Sequence, residues 1–124
     1  MPSDAELEGM TPRDLLRLGV DLYNEGRFFE SHEAWEAVWM HAPTALRHFY
    51  QGLIQIAAGY HKYEIGNALG ARKLLDRGVR TLVPLLPDQA WATAFAARVC
   101  ADRDLLLQGV AGLPAPPRLP AVFE

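Results

Sequence analysis

Three side chains able to carry chemistry lie close together near the first quarter of the chain: His32, Glu33 and Glu36, in the run FFESHEAWEAVW that spans residues 28–39. A His-Glu doublet on a helix opens the zinc-protease pattern His-Glu-x-x-His. There, two histidines one turn apart hold the metal and the glutamate acts as general base. Here Glu36 stands where the second histidine belongs, which excludes that chemistry. Nor does a Glu-x-x-His pair occur anywhere, and that pair is the ligand unit of di-iron helical bundles. What remains is a low-specificity set. His32, Glu33, Glu36 and, further along, His61 are the candidate metal ligands. Gln51 and Gln55 are hydrogen-bonding neighbours and poor ligands for transition metals.

The elements that must position these residues read as helices. Thr11-Pro12 supplies a cap and a first-turn proline, Asp14 follows, and Gly26 stops a helix whose apolar face is Leu15, Leu18 and Leu22. A second helix is expected from about Phe28 to His41, before Pro43, and a third from Thr44 to about Glu64, stopped by Gly66. Asn67 caps a fourth, ended by Pro84 and Pro87. Asp88 is read as the cap of a fifth, which runs through Trp91, Phe95 and Val99 to about Leu107. No stretch alternates in the manner of a strand. The fold class is therefore all-α: a compact bundle of about five helices in residues 11–110, built from two packed antiparallel hairpins. A flexible acidic N-terminus (1–10) precedes it and a proline-rich tail (111–124) follows.

A faint internal repeat supports the hairpins. YNEGRFFESHEAW from Tyr23 aligns with YEIGNALGARKLL from Tyr63, pairing Tyr23 with Tyr63, Gly26 with Gly66 and Ser31 with Ala71. Each copy has an aromatic late in one helix, a glycine turn, and a small residue early in the next. It looks like the unit of a helical repeat, but two copies do not make a solenoid. The tail, with prolines at 114, 116, 117 and 120, cannot be helical. It is expected to be extended and to lie across the bundle through Leu119, Val122 and Phe123. PPRLP also reads as a ligand for an aromatic groove.

On a wheel of 100° per residue, Phe28, Trp35 and Trp39 centre the apolar arc of the second helix. His32 falls inside the arc, Glu36 at its edge and Glu33 further round. Glu30, Ala34 and His41 point away. On the third helix Leu53, Ile56 and Tyr60 build one face, which His61 enters. Gln51 and Gln55 lie opposite, beside Gly52 and Gly59. Each mid-helix glycine costs roughly 1 kcal/mol against alanine, so a close helix contact is the expected reason. The expectation is an inter-helix cluster of His32, Glu36, Gln51, Gln55 and His61, with Glu33 at its rim.

FFESHEAWEAVW followed by FYQGLIQIAAGYHKYEIGNALGARKLL resembles a small prokaryotic and plastid family, domain of unknown function family 309. The residues that carry it include His32, Glu33, Trp39, Gln51, Gln55, His61, Gly66, Asn67, Gly70 and Ala71. The likeness spans roughly residues 15 to 83. It implies a compact all-helical fold and no particular activity.

Bulk properties narrow the rest. At 124 residues, half of them hydrophobic, the chain can bury a core of its own. A net charge of −3 argues against nucleic-acid binding. The single cysteine, Cys100, allows no internal disulfide and has no evident activating partner. No apolar run approaches the ~20 residues that span a bilayer, and the start lacks a signal peptide, so a cytoplasmic location is expected. No cofactor is implied, and no partner is named by any motif.

Three readings of function remain. The polar cluster fixes helix packing, as buried polar networks can. Alternatively, it holds a metal or small ligand, with hydrolase-like chemistry. Or the chain is an interaction module, with Lys73, Arg77 and Arg80 as a basic stripe on the fourth helix, and with Trp91 and Phe95 in the core or between two copies of a homodimer.

Overall fold

The computed structural model describes residues 1–121. Six α-helices follow one another: α1 (Asp4–Glu8), α2 (Pro12–Asn24), α3 (Phe28–Trp39), α4 (Thr44–Glu64), α5 (Ala68–Leu82) and α6 (Ala90–Leu107). A 3₁₀ turn at Val83–Leu85 joins the last two. No strand occurs among the described residues.

The boundaries follow local chemistry. Thr11 Oγ1 accepts from Asp14 N–H at 3.1 Å while Asp14 Oδ2 accepts from Thr11 N–H at 3.4 Å, a capping box ahead of Pro12. Gly26 (φ +80°) and Gly66 (φ +84°) end α2 and α4 in the same way. Arg27 N–H reaches Leu22 O and Asn67 N–H reaches Lys62 O, at 2.9 and 2.8 Å, which are Schellman closures that only glycine makes without strain. The two turns of the sequence repeat are thus one motif used twice. Asn67 then caps α5 by accepting from Gly70 N–H.

Two ends differ from expectation. Residues 1–10, expected to be flexible, carry α1. Ser3 and Glu6 form its capping box, and Leu7 is buried against Leu15, Val38 and Tyr50. Asp88 does not cap α6; Gln89 holds that position without a side-chain hydrogen bond.

The helices pack in chain order: α2 on α3, α3 on α4, α4 on α5 and α5 on α6. The α4–α5 contact is set by small residues, as the mid-helix glycines imply. A Cβ on Gly52 would lie 3.0 Å from Leu82 Cβ, and one on Gly78 would lie 3.1 Å from Gly52 O. At the centre Tyr23 touches the rings of Phe28, Trp35, Tyr60 and Phe95, with centroids 5.2 to 6.3 Å away. The tail crosses this core in extended form, and Leu119 is buried in it. Val122 and Phe123, expected to join it, lie outside the described residues. Among the described residues no helix is long and apolar enough to cross a membrane.

Candidate functional site

The structure separates the residues that the sequence places in one cluster. On α3, His32 Nε2 lies 2.9 Å from Glu36 Oε1, one turn on, and His32 Nδ1 lies 3.3 Å from Phe29 O, one turn back. Both ring nitrogens therefore face acceptors of their own helix. The neutral ring can donate to one of these and the protonated ring to both. The pair sits at the surface rather than in the core, with side chains 22 % and 49 % exposed. His61 of α4 does come near, but through the Phe29 ring, which stacks obliquely on both His32 and His61 at 5.6 and 5.1 Å.

The glutamines belong to another contact. Gln55 Oε1 lies 3.1 Å from Thr81 Oγ1 of α5, which also lies 2.8 Å from Arg77 O, so that one hydroxyl hydrogen serves both acceptors. Gln51 is half-buried one turn earlier, next to Gly52. The glycines explain the separation: Gly52 and Gly59 turn their side of α4 to α5, and the glutamines go with them. Among the described residues no three His, Cys, Asp or Glu side chains converge on a point able to hold a metal ion.

The wheel also misplaces Ala34, which is fully buried. A single apolar arc cannot describe α3, because α2 covers one side of it and α4 another. Val38 packs with Leu7 of α1, Leu15 of α2 and Tyr50 of α4, Phe28 and Trp35 join the central core, and Ser31 and Ala34 are fully buried as well. The α2 contact is close. Trp35 Nε1–H donates to Leu16 O at 3.2 Å, and the indole lies where a Cβ on Gly19 would stand.

Two of the singled-out carboxylates, Glu33 and Glu36, open instead into a groove of about 520 Å³ between α1 and α3. Its floor is apolar: Leu7, Leu15 and Val38 are buried there, with Met10 and Met40 at its sides. Asp4 and Glu8 of α1 complete an acidic rim. The lining includes His41 but no lysine or arginine. By contrast, the basic stripe of α5 is interrupted. Asp76 stands within it and pairs with Arg80 at 2.9 Å and with Arg103 of α6 at 2.8 Å.

One buried polar pair escaped the sequence reading. Tyr60 Oη donates to Asp102 Oδ2 at 2.6 Å, and the other carboxylate oxygen, Oδ1, has no hydrogen-bond partner among the described residues. Burial pushes the Asp102 carboxyl above its ordinary range, against the pull of the Tyr60 hydrogen bond and of Arg98. Burial likewise pushes both the Tyr60 and the Tyr23 phenols well above theirs. Tyr23 and the Asp102 hydrogen bond add to the shift at Tyr60, and the Asp102 charge adds to it at Tyr23. A signal did exist. Phe95, Val99, Asp102 and Leu106 fall at spacings of four, three and four, which puts the aspartate on the apolar stripe of α6.

An all-helical chain with this hairpin order and this α3–α4 signature has a counterpart among family models. Residues 16–74 match the model described as Domain of unknown function (DUF309). The matched segment covers most of α2, all of α3 and α4, and the start of α5. It leaves out α1, α6 and the tail. No curated protein matches the chain, and no solved structure does.

Proposed function

We propose that the protein is a docking module: its α1–α3 groove receives a basic amphipathic segment of a partner, and the polar residues of α3 and α4 serve helix packing. The make-up of the groove carries this reading. An apolar floor flanked by two methionines favours a helix face presenting apolar side chains, and methionine adapts to varied shapes. Four carboxylates on the rim, with no lysine or arginine in the lining, favour lysines and arginines on either side of that face. Polar contacts that do cross between helices, Thr81 Oγ1 with Gln55 Oε1 and Trp35 Nε1–H with Leu16 O, support the packing role.

The test is a titration with two labelled amphipathic helical peptides of equal apolar face, one lysine-rich and one glutamate-rich, read by fluorescence anisotropy. The lysine-rich peptide should bind at least about tenfold more tightly, and its affinity should fall as salt is raised. Glu8→Lys with Glu33→Lys should reverse the preference. Equal affinity for the two peptides would refute the proposal.

A further inference from the structure

Beyond α6 the chain is held as a bound peptide would be. From Leu113 to Leu119, every second residue meets a side chain of the bundle. Leu113 N–H donates to Tyr63 Oη at 2.9 Å, and Ala115 O accepts from Arg98 Nη2 at 2.9 Å. Pro117 O accepts from Tyr23 Oη at 2.8 Å. Leu119 is read at both of its backbone groups: its N–H donates to Asn24 Oδ1 at 2.8 Å, and its C=O accepts from Asn24 Nδ2 at 2.9 Å.

A period of two is that of an extended chain met on one edge, and here side chains stand in for a neighbouring strand. All five contacts reach backbone atoms, so they carry little side-chain selectivity. Selectivity rests on Pro117 and Leu119, the only two of the segment that are buried, and on Arg118, whose Nη1 donates to Asn24 O at 3.2 Å. The prolines between the contacts need no donor there, and they pre-set the extended form, which lowers the entropy lost on docking. Two of the four hydrogen-bonding side chains, Tyr23 and Tyr63, are the matched tyrosines of the hairpin repeat. The pseudo-symmetry thus places a hydroxyl at two points along one groove.

We propose that this groove is a binding site for an extended proline-rich segment of a partner protein, with Pro-x-Leu at its two buried positions, and that the chain's own tail fills it in cis. The tail hangs from α6 through Gly109 (φ +80°) and Gly112, where no neighbouring atom would meet a side chain. It can therefore leave without unwinding α6. A short tether gives the tail an effective concentration on the order of millimolar, so a competing segment must bind well or the tail must first be loosened. This site is separate from the α1–α3 groove, and the two proposals stand or fall independently.

The test uses full-length chains and a labelled peptide GLPAPPRLPA, equivalent to residues 112–121. The peptide should bind the Leu119→Asp chain at least about tenfold more tightly than the wild type, because the variant's own tail no longer competes. Adding Asn24→Ala should weaken that binding about tenfold, the worth of two lost hydrogen bonds. The peptide carrying Leu119→Asp should not bind. Hydrogen exchange on the wild-type chain gives a second readout that needs no variant. The Leu113 and Leu119 amides should exchange at least about a hundredfold faster than those of Leu53 and Leu75, through release of the tail alone. Exchange of the tail together with the core would overturn the proposal. So would failure of the peptide to bind a folded Leu119→Asp chain, or wild-type dimers formed by exchange of tails.

Discussion

Tyr60 and Asp102, from α4 and α6, meet across 2.6 Å with neither residue exposed. Tyr60→Phe keeps the ring and leaves both carboxylate oxygens without the phenol. It should cost about 1–3 kcal/mol in urea denaturation, the penalty for orphaning a buried acceptor. In an Asp102→Asn background the same change should cost less, because the pair is then already altered.

The pH dependence of that pair has a definite sign. A carboxyl raised in the fold binds its proton more tightly folded than unfolded. Its contribution to stability is therefore present below the unfolded pKa, ~3.9, and is lost as pH rises through the folded value. Asp102→Asn removes this term. Relative to wild type, the variant should gain stability between pH 4 and pH 7. A stability difference that is flat across that range would contradict the burial of this charge.

Gly19 lies beneath the Trp35 indole, with no room for a methyl group. Gly19→Ala should therefore destabilise the chain by about 1–3 kcal/mol despite alanine's better helix propensity. Tryptophan emission should shift to the red as the indole is displaced. An unchanged midpoint would mean that the α2–α3 contact is looser than described.

Ser31 is fully buried and its hydroxyl has no partner among the described residues, whereas its repeat mate Ala71 is an equally buried alanine. Ser31→Ala should be neutral or stabilising by up to about 1 kcal/mol, since an unsatisfied hydroxyl is removed and helix propensity improves. A loss of more than about 1 kcal/mol would show that the hydroxyl is in fact engaged.

His32→Ala should cost less than about 1 kcal/mol, as expected of a partly exposed side-chain pair. Trp35→Ala, three residues on, should cost about 3–5 kcal/mol. Thermal melts of the two variants side by side would rank them.

Much of the helical frame could be read in advance from particular residues. Thr11, Pro12 and Asp14 mark a start, Gly26 and Gly66 mark stops, and Gly52 with Gly59 mark a close contact. Each acts within one turn of chain or across one neighbour. The polar cluster could not be read in the same way. Grouping His32 with Gln55 requires α4 to turn two opposite faces to α3, and only packing shows that the glutamine face belongs to α5. The spacing of Asp102 puts it on the apolar stripe of α6 but does not show its partner, because the pair depends on Tyr60, forty-two residues away, and on the helices that close over it. The acidic groove depends on α1, whose few residues give a capping box but too short a pattern to show where it docks.

The docking reading is tested most directly by mapping backbone amide shifts as the lysine-rich amphipathic peptide is titrated into the wild-type chain. Shifts should concentrate at Leu7, Leu15, Glu33 and Val38, saturate together and weaken in high salt. Shifts concentrated on α5 and α6 around Asp76 and Arg103, with the α1–α3 groove silent, would contradict it.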